Sequence, residues 1–234
     1  MTNADSGSLY LIEPQQGTKE GKQLRFVLAQ NDSVEVPFSE FTLPVNNASV
    51  VGYAAKRGRA VVHSNVYDLS PTLPYRHNNS FDRQFQYLTK SMAVIPMRNH
   101  DGDVIGVLQI INKKVSPNQQ TERPTVDDFK DFTDVDIQVL SSLASQASVA
   151  IENAQLYQSI EALFSGLITA SIGAIEARDP STSGHSERVA AMTCELARVV
   201  TRQTVGEFAE VRFNDAQMRE LYFACMLHVL GKIA

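Results

Sequence analysis

The chain has 234 residues, 43% of them hydrophobic and 20% charged, with a net charge of −5. That is long enough for one to two domains with a real core. The acidic balance argues against a nucleic-acid surface, which shows a basic stripe. No run approaches the ~18 apolar residues of a membrane span, so none is expected, and the N-terminus, MTNADSGSLYL, has no secretory pattern. Cys194 and Cys225 fall in helical segments and read as small core residues of a reducing compartment, so a cytoplasmic location is expected.

Gly7–Glu13 alternates as a strand, with Leu9 and Leu11 on one face and Tyr10 and Ile12 on the other. Pro14 to Gly17 forms a turn and Gln23–Ala29 the return strand. Asn46 or Asn47 is expected to cap a short helix from Val50 to Lys56, closed by Gly58, before a strand over Arg59–His63. Residues 64–80, with Pro71 and Pro74, read as a long loop of the kind that is often functional. Met92–Met97 and Val104–Ile111 are the strongest strands, and the Asp101-Gly102 pair between them signals a hairpin. Residues 114–131 read as a second loop. His63, His77 and His100 read as surface or turn histidines.

At Thr133 the period changes. Thr133 and Asp136 form an approximate capping box, with Asp in place of the usual Glu or Gln. Apolar residues then recur at Ile137, Leu140, Ala144, Ala147, Ile151 and Ala154, the spacing of a coiled-coil seam. The helical pattern runs to about Ala177. A helix of about 40 residues rises about 60 Å, so it reads as a connector between domains, or alternatively as two core helices broken near Gly166. Two further helices are expected, from Ser186 to about Val200 and from Asn214, a cap candidate, to about Val229.

The segments Ala4–Glu13, Met92–Lys113 and Phe132–Tyr157 resemble a GAF sensory domain, a likeness covering most of residues 4–157. The resemblance implies an antiparallel sheet with flanking helices and a small-ligand pocket between the sheet and the long loop. Such a domain ordinarily opens with a helix ahead of its first strand, which the three residues before Ala4 are too few to form. Members that bind cyclic nucleotides carry an Asn-Lys…Phe…Asp-Glu pattern, matched here by Asn112, Lys113, Phe132 and Asp136, with Ile137 replacing the Glu. In that family the Lys–Asp pair ties down the loop and supports the pocket. Alternatively, Asn112 simply ends a strand, Lys113 is solvated and Asp136 is favoured by the helix dipole. No cysteine precedes residue 194, which excludes covalent bilin attachment in the GAF domain.

The segments EARDPSTSGHSERVA and EVRFNDAQMRELYFACMLHVLGKIA are similar to the opening half of an HD-GYP domain, over about residues 160–234. That family hydrolyses cyclic di-GMP at a centre of two or three divalent metals, iron or manganese. The resemblance places metal ligands at His185 and His228 and a phosphate-contacting lysine at Lys232. It places an aspartate where this chain has Val229, and valine has no lone pair to bridge two metals. Pro180 to Ser183 lacks the glutamate of three-metal members, and the remaining ligands would lie beyond Ala234. Two histidines without a carboxylate do not hold a dinuclear centre, so no bound metal is expected and hydrolysis is left as an alternative. In isolation His185 reads as a polar-turn histidine and His228 as a buried helix-end one.

The sequence therefore reads as an α+β GAF domain (1–132), a dimerising signalling helix (133–177) and an all-α HD-type partial domain (178–234). Its expected partners are a small ligand, possibly a cyclic nucleotide, and a second copy of itself. A purely structural dimerisation module is the remaining alternative.

Overall fold

The computed structural model describes residues 2–15, 17, 21–35, 39–116, 125–177 and 184–228. Two compact units divide it, Met1–Asn153 and Ala154–Ala234.

In the first unit an antiparallel sheet runs in the order β3-β2-β1-β6-β5-β4, with β7 also paired to β6. Its strands are β1 (Ala4–Pro14), β2 (Lys22–Asn31), β3 (Thr42–Pro44), β4 (Val61–His63), β5 (Met92–Arg98), β6 (Val104–Lys114) and β7 (Phe129–Lys130). The two longest strands, β1 and β6, sit at the centre of the sheet. β6 opposes Ile110 to Ala93 of β5 and Leu108 to Leu9 of β1. The expected D-G hairpin forms, with Gly102 at φ 86° and its N–H donating to Asn99 O at 3.0 Å. Pro96 stands where β5 has lost its β4 neighbour, the kind of position where a missing N–H is tolerated. Gly106 has no substitute: a Cβ there would lie 2.4 Å from both Tyr10 O and Met97 Cε.

Period-two alternation sends side chains to two separate cores. Tyr10, Met92, Val94 and Val107 face helix α1 (Val50–Arg57) and the 64–80 segment. Leu9, Leu11, Ala93, Ile95 and Met97 face helix α3 (Asp134–Glu176). The Tyr10/Ile12 and Leu9/Leu11 faces are as expected from the sequence.

Several local expectations are corrected. Ser49, not Asn46 or Asn47, caps α1, its Oγ accepting Gly52 N–H at 3.0 Å, while Asn46 turns back to Ala48 N–H at 2.8 Å. β3, β7 and helix α2 (Ser80–Phe85) are additional elements, too short to show a period. The Pro14–Gly17 turn and the 114–131 loop fall partly outside the described residues.

The alternation at Ile137, Leu140, Ala144, Ala147 and Ile151 is not an intermolecular seam. It packs against the sheet of its own unit, with Leu140 2% and Ala144 1% exposed. Alanine is there because the helix lies close over strand backbones. The helix is unbroken at Gly166, so the expected break there is absent. By length and composition it is also apolar enough to cross a membrane, contrary to expectation. Part of that apolar surface is the sheet-facing side just described.

The second unit packs the C-terminal part of α3 with α4 (His185–Arg202) and α5 (Asp215–Leu227) through Ile168, Ile172, Ala190 and Met226. Asn214 caps α5 as expected, in a box with Gln217.

Candidate functional site

Three consecutive features place the candidate site at the end of β6. The first is Asn112. It is fully buried and adopts φ 58°, a left-handed conformation that asparagine tolerates better than other non-glycine residues. The twist turns its amide toward residues 87–91. Its Oδ1 accepts Lys90 N–H at 2.7 Å and Ser91 N–H at 3.2 Å. Its Nδ2 donates to Tyr87 Oη at 3.1 Å and to the Leu88 carbonyl. Asn112 thus straps the chain entering β5 to β6, instead of merely ending a strand.

The second feature is Lys113, whose ammonium pairs with Asp136 in the first turn of α3. Both side chains are largely buried, at 18% and 12% exposed, so the pair is better shielded than a surface ion pair. Asp136 also accepts from Thr133 N–H and Thr133 Oγ1, each at 2.7 Å, and its own N–H donates to Thr133 Oγ1 at 3.3 Å. The expected capping box is present with Asp in the Glu role. Burial pushes the Asp136 carboxyl up, but the bonds from Lys113 and Thr133 outweigh it and hold the group below the ordinary aspartate range. Phe132, the remaining member of the pattern, is buried against the α3 side of the sheet, and Ile137 joins that cluster as an apolar filler where the family has Glu. The Asn-Lys…Phe…Asp set is therefore one physical linkage from the β5 entry, through β6, into α3.

The third feature is the layer between the sheet and α1. Tyr10 Oη donates to Gln109 Oε1 at 3.0 Å, and burial raises the Tyr10 phenol far above its usual range. His63 Nε2 lies 3.1 Å from Tyr75 Oη, and burial lowers the His63 imidazole. These polar pairs lie among the apolar residues Val50, Ala54, Val66 and Met92. They are polar side chains of this layer, each already paired within it. Sequence reasoning passed over Tyr10, Tyr75 and Gln109, whose residue types are equally common in any strand or loop. His63 was expected at the surface and is half-buried instead.

The 64–80 segment that covers this layer is anchored. Asp82, buried at the start of α2, accepts from Tyr67 Oη, from Thr89 Oγ1 at 2.7 Å and lies 3.2 Å from His77 Nε2. Burial opposes ionisation of Asp82, but these bonds win and its pKa falls, while burial and the Asp82 bond push the Tyr67 phenol up to about 12. His77 is therefore a structural partner, not a free turn histidine. His100 is exposed as expected and pairs with Glu152.

The pH consequence has a definite sign. Asp82 and Asp136 both have folded-state pKa values below the ordinary 3.8. Their contribution is fully present above that value and is lost as pH falls through the depressed folded values. Acid titration of the unit, followed by circular dichroism, is expected to show stability falling below about pH 4. Lys113→Met is expected to flatten that fall; an unchanged acid limb would show that the pair contributes nothing.

In the second unit the rings of His185 and His228 come together, with centroids 5.3 Å apart. The His228 Nδ1–H donates to the Cys225 carbonyl, which orients the ring and leaves Nε2 as the nitrogen that could ligate. That is the arrangement a metal-binding histidine needs. Glu176, unnoticed in the sequence, accepts Gly184 N–H at 2.7 Å and Ser186 N–H at 3.4 Å at the start of α4, and the Gly184 bond leads in lowering its pKa. Among the described residues no group of three or more His, Cys, Asp or Glu converges. Among the described residues the donor set is a pair of facing imidazoles. Val229, Lys232 and the Pro180–Ser183 turn lie outside the described residues.

Comparison with known proteins agrees with the first unit's geometry. The GAF domain profile matches residues 1–151. The chain belongs to the GAF domain family. Among its relatives is the dual 3′,5′-cyclic-AMP and -GMP phosphodiesterase 11A of Takifugu rubripes, 31% identical over 67% of this chain and 16% of that protein. Others are the dual phosphodiesterase 11 of Drosophila melanogaster, 26% identical over 68% and 10%, and the cGMP-specific 3′,5′-cyclic phosphodiesterase of Drosophila virilis, 26% identical over 68% and 16%. The chain spans only 10–16% of the length of these relatives. Similar solved structures include the GAF domain of an Acinetobacter phosphoenolpyruvate-protein phosphotransferase, 18% identical over 67% of this chain and 76% of that one, TM-score 0.45. A methyl-accepting chemotaxis protein fragment is 17% identical over 66% and 81%, TM-score 0.48.

Proposed function

We propose that this chain is a cyclic-nucleotide-sensing GAF module whose ligand state is passed to α3. The observation that carries the reading is the linkage of Asn112, Lys113 and Asp136. It joins the chain beside the Tyr10–Gln109 and His63–Tyr75 layer to the first turn of α3. A ligand held under the 64–80 segment would stabilise the packing in which that linkage is closed, and its effect on α3 equals its differential affinity for the two packings. The similarity to cyclic-nucleotide phosphodiesterases favours cyclic GMP or cyclic AMP as the ligand.

Calorimetric titration of the whole chain with each nucleotide tests this. Saturable binding that is lost in a Tyr10→Phe, Gln109→Ala variant of retained fold supports the reading. Absence of heat with both nucleotides, together with an unchanged melting temperature at high concentration, rejects it.

A second reading rests on the facing His185 and His228 rings. We propose the second unit as an HD-type helical output module, the opening part of the cyclic di-GMP phosphohydrolase fold, connected through α3 to the sensor. A divalent metal there would supply an activated water. The described residues offer it two imidazoles only, and we derive no hydrolytic step. Elemental analysis after growth with iron and manganese is the test: near-stoichiometric metal that disappears in His185→Ala supports a metal centre, and metal well below one per chain rejects it.

A further inference from the structure

Four cations gather at the C-terminal end of α1. Lys22 opens β2, Lys56 and Arg57 close α1, and Arg98 ends β5. With Ile12, Val45, Ala55 and Val104 they line a cleft of about 360 Å³. Among the described residues Asp103 is the one carboxylate on its wall. Among the same residues none of the four cations is ion-paired, whereas Arg25, Lys90, Lys113 and Lys114 of this unit each have a carboxylate partner. The chain as a whole carries −5, so the local sign opposes the global one.

We infer that this cleft binds a small organic phosphate, with the dianionic phosphate on the cationic rim and a compact apolar body on the floor. The cleft lies apart from the layer proposed for the cyclic nucleotide. At its N-terminal end α1 meets the 64–80 segment, where Arg76 N–H donates to Ala48 O at 3.1 Å. The eight residues of α1 rise about 12 Å before they reach the cleft.

Arg98 is held ready for an anion. Its Nη2 donates to Gly58 O at 2.6 Å and its Nη1 to Gly102 O. These carbonyls fix the guanidinium without neutralising it, and its remaining N–H groups form a planar fork, the geometry that matches phosphate. The close approach exists because residue 58 is glycine; a Cβ there would collide with the Arg98 guanidinium. A helix C-terminus favours cations by itself, which accounts for Lys56 and Arg57. It does not account for Lys22 and Arg98, which reach the same cleft from two separate strands. A cleft walled by one sign of charge focuses the field and raises the local concentration of anions. Its volume lies at the small end of the ~300–1,000 Å³ of small-molecule sites, whose usual make-up is an apolar lining with a few polar groups. A bare inorganic anion would leave Ile12, Val45, Ala55 and Val104 uncovered, whereas a phosphate ester on a ring-sized body meets both rim and floor.

The test is calorimetric titration of the full chain with phenyl phosphate, at an ionic strength held constant with sodium chloride. One saturable site per chain is expected. Lys22 and Lys56 are exposed, so the Lys22→Gln, Lys56→Gln variant is expected to keep the native melting temperature. It is expected to bind at least about tenfold more weakly. Asp103→Asn is expected to bind several-fold more tightly, a gain that structural damage would not produce. A Tyr10→Phe, Gln109→Ala variant of retained fold is expected to bind phenyl phosphate as the native chain does, so failure of the cyclic-nucleotide reading leaves the cleft standing. No saturable heat, unchanged affinity in Lys22→Gln, Lys56→Gln, or loss of binding in Tyr10→Phe, Gln109→Ala overturns the site. Vesicles of phosphatidic acid in phosphatidylcholine separate the two sources of the phosphate. Sedimentation with them that Lys22→Gln, Lys56→Gln abolishes identifies a lipid headgroup, and saturable phenyl phosphate binding without sedimentation identifies a soluble ester.

Discussion

Ala144→Glu is expected to unfold the first unit, not to produce a folded monomer. Ala144 is 1% exposed against Ala93, Ile95 and Met97. The added methylene and carboxyl group overpack that contact, costing about 1–3 kcal/mol. A carboxyl group buried there without a partner adds about 2–7 kcal/mol, even when it escapes ionisation by protonation. The sum is comparable with the ~5–15 kcal/mol that holds a whole domain together. Urea unfolding followed by circular dichroism is expected to show loss of the sheet transition in this variant. A folded, monomeric Ala144→Glu protein would instead place the alanine-rich alternation between chains, as its spacing alone suggests.

Asn112→Ala is expected to cost at least about 5 kcal/mol. It removes the acceptor for Lys90 and Ser91 N–H and the donor to Tyr87 and Leu88, with each buried group left unpaired worth about 1–3 kcal/mol. It also places a Cβ-bearing residue with no local hydrogen bond at φ 58°, for about 1–2 kcal/mol. Asn112→Gly keeps the backbone freedom and loses the bonds, so it is expected to be about 1 kcal/mol less damaging than Asn112→Ala. Equal damage from both would remove the backbone from the argument. In either variant residues 87–91 lose their strap, and nucleotide binding is expected to fall with stability.

The parts legible in the sequence are those with a long period or a two-residue signature. β5 and β6 are apolar runs around an Asp-Gly turn, and Thr133 with Asp136 is a spacing that nothing else explains so simply. Lys113 and Asp136 could be paired only through family resemblance, because 22 intervening residues carry no geometric information. The role of Asn112 was hidden for a related reason: a buried asparagine and a strand-end asparagine have the same neighbours in sequence. The face of α3 was misread because two alternations run along opposite sides of it, and the one richer in alanine resembles a close helix–helix contact. In fact the sheet claims the smaller residues and the larger Leu156, Ile160, Leu163 and Leu167 remain outside. In the second unit, the spacing of His185 and His228 along the chain concealed that the rings meet.

Hydrogen exchange of the whole chain, with and without saturating cyclic GMP or cyclic AMP, tests most directly whether ligand and helix are linked. Slower exchange is expected together in residues 64–80, in 87–91 and in the first turns of α3, the segments joined by Asp82, Asn112 and the Lys113–Asp136 pair. Exchange unchanged in all three with both nucleotides, or protection of 64–80 with none in α3, would contradict a cyclic-nucleotide sensor that signals through this linkage.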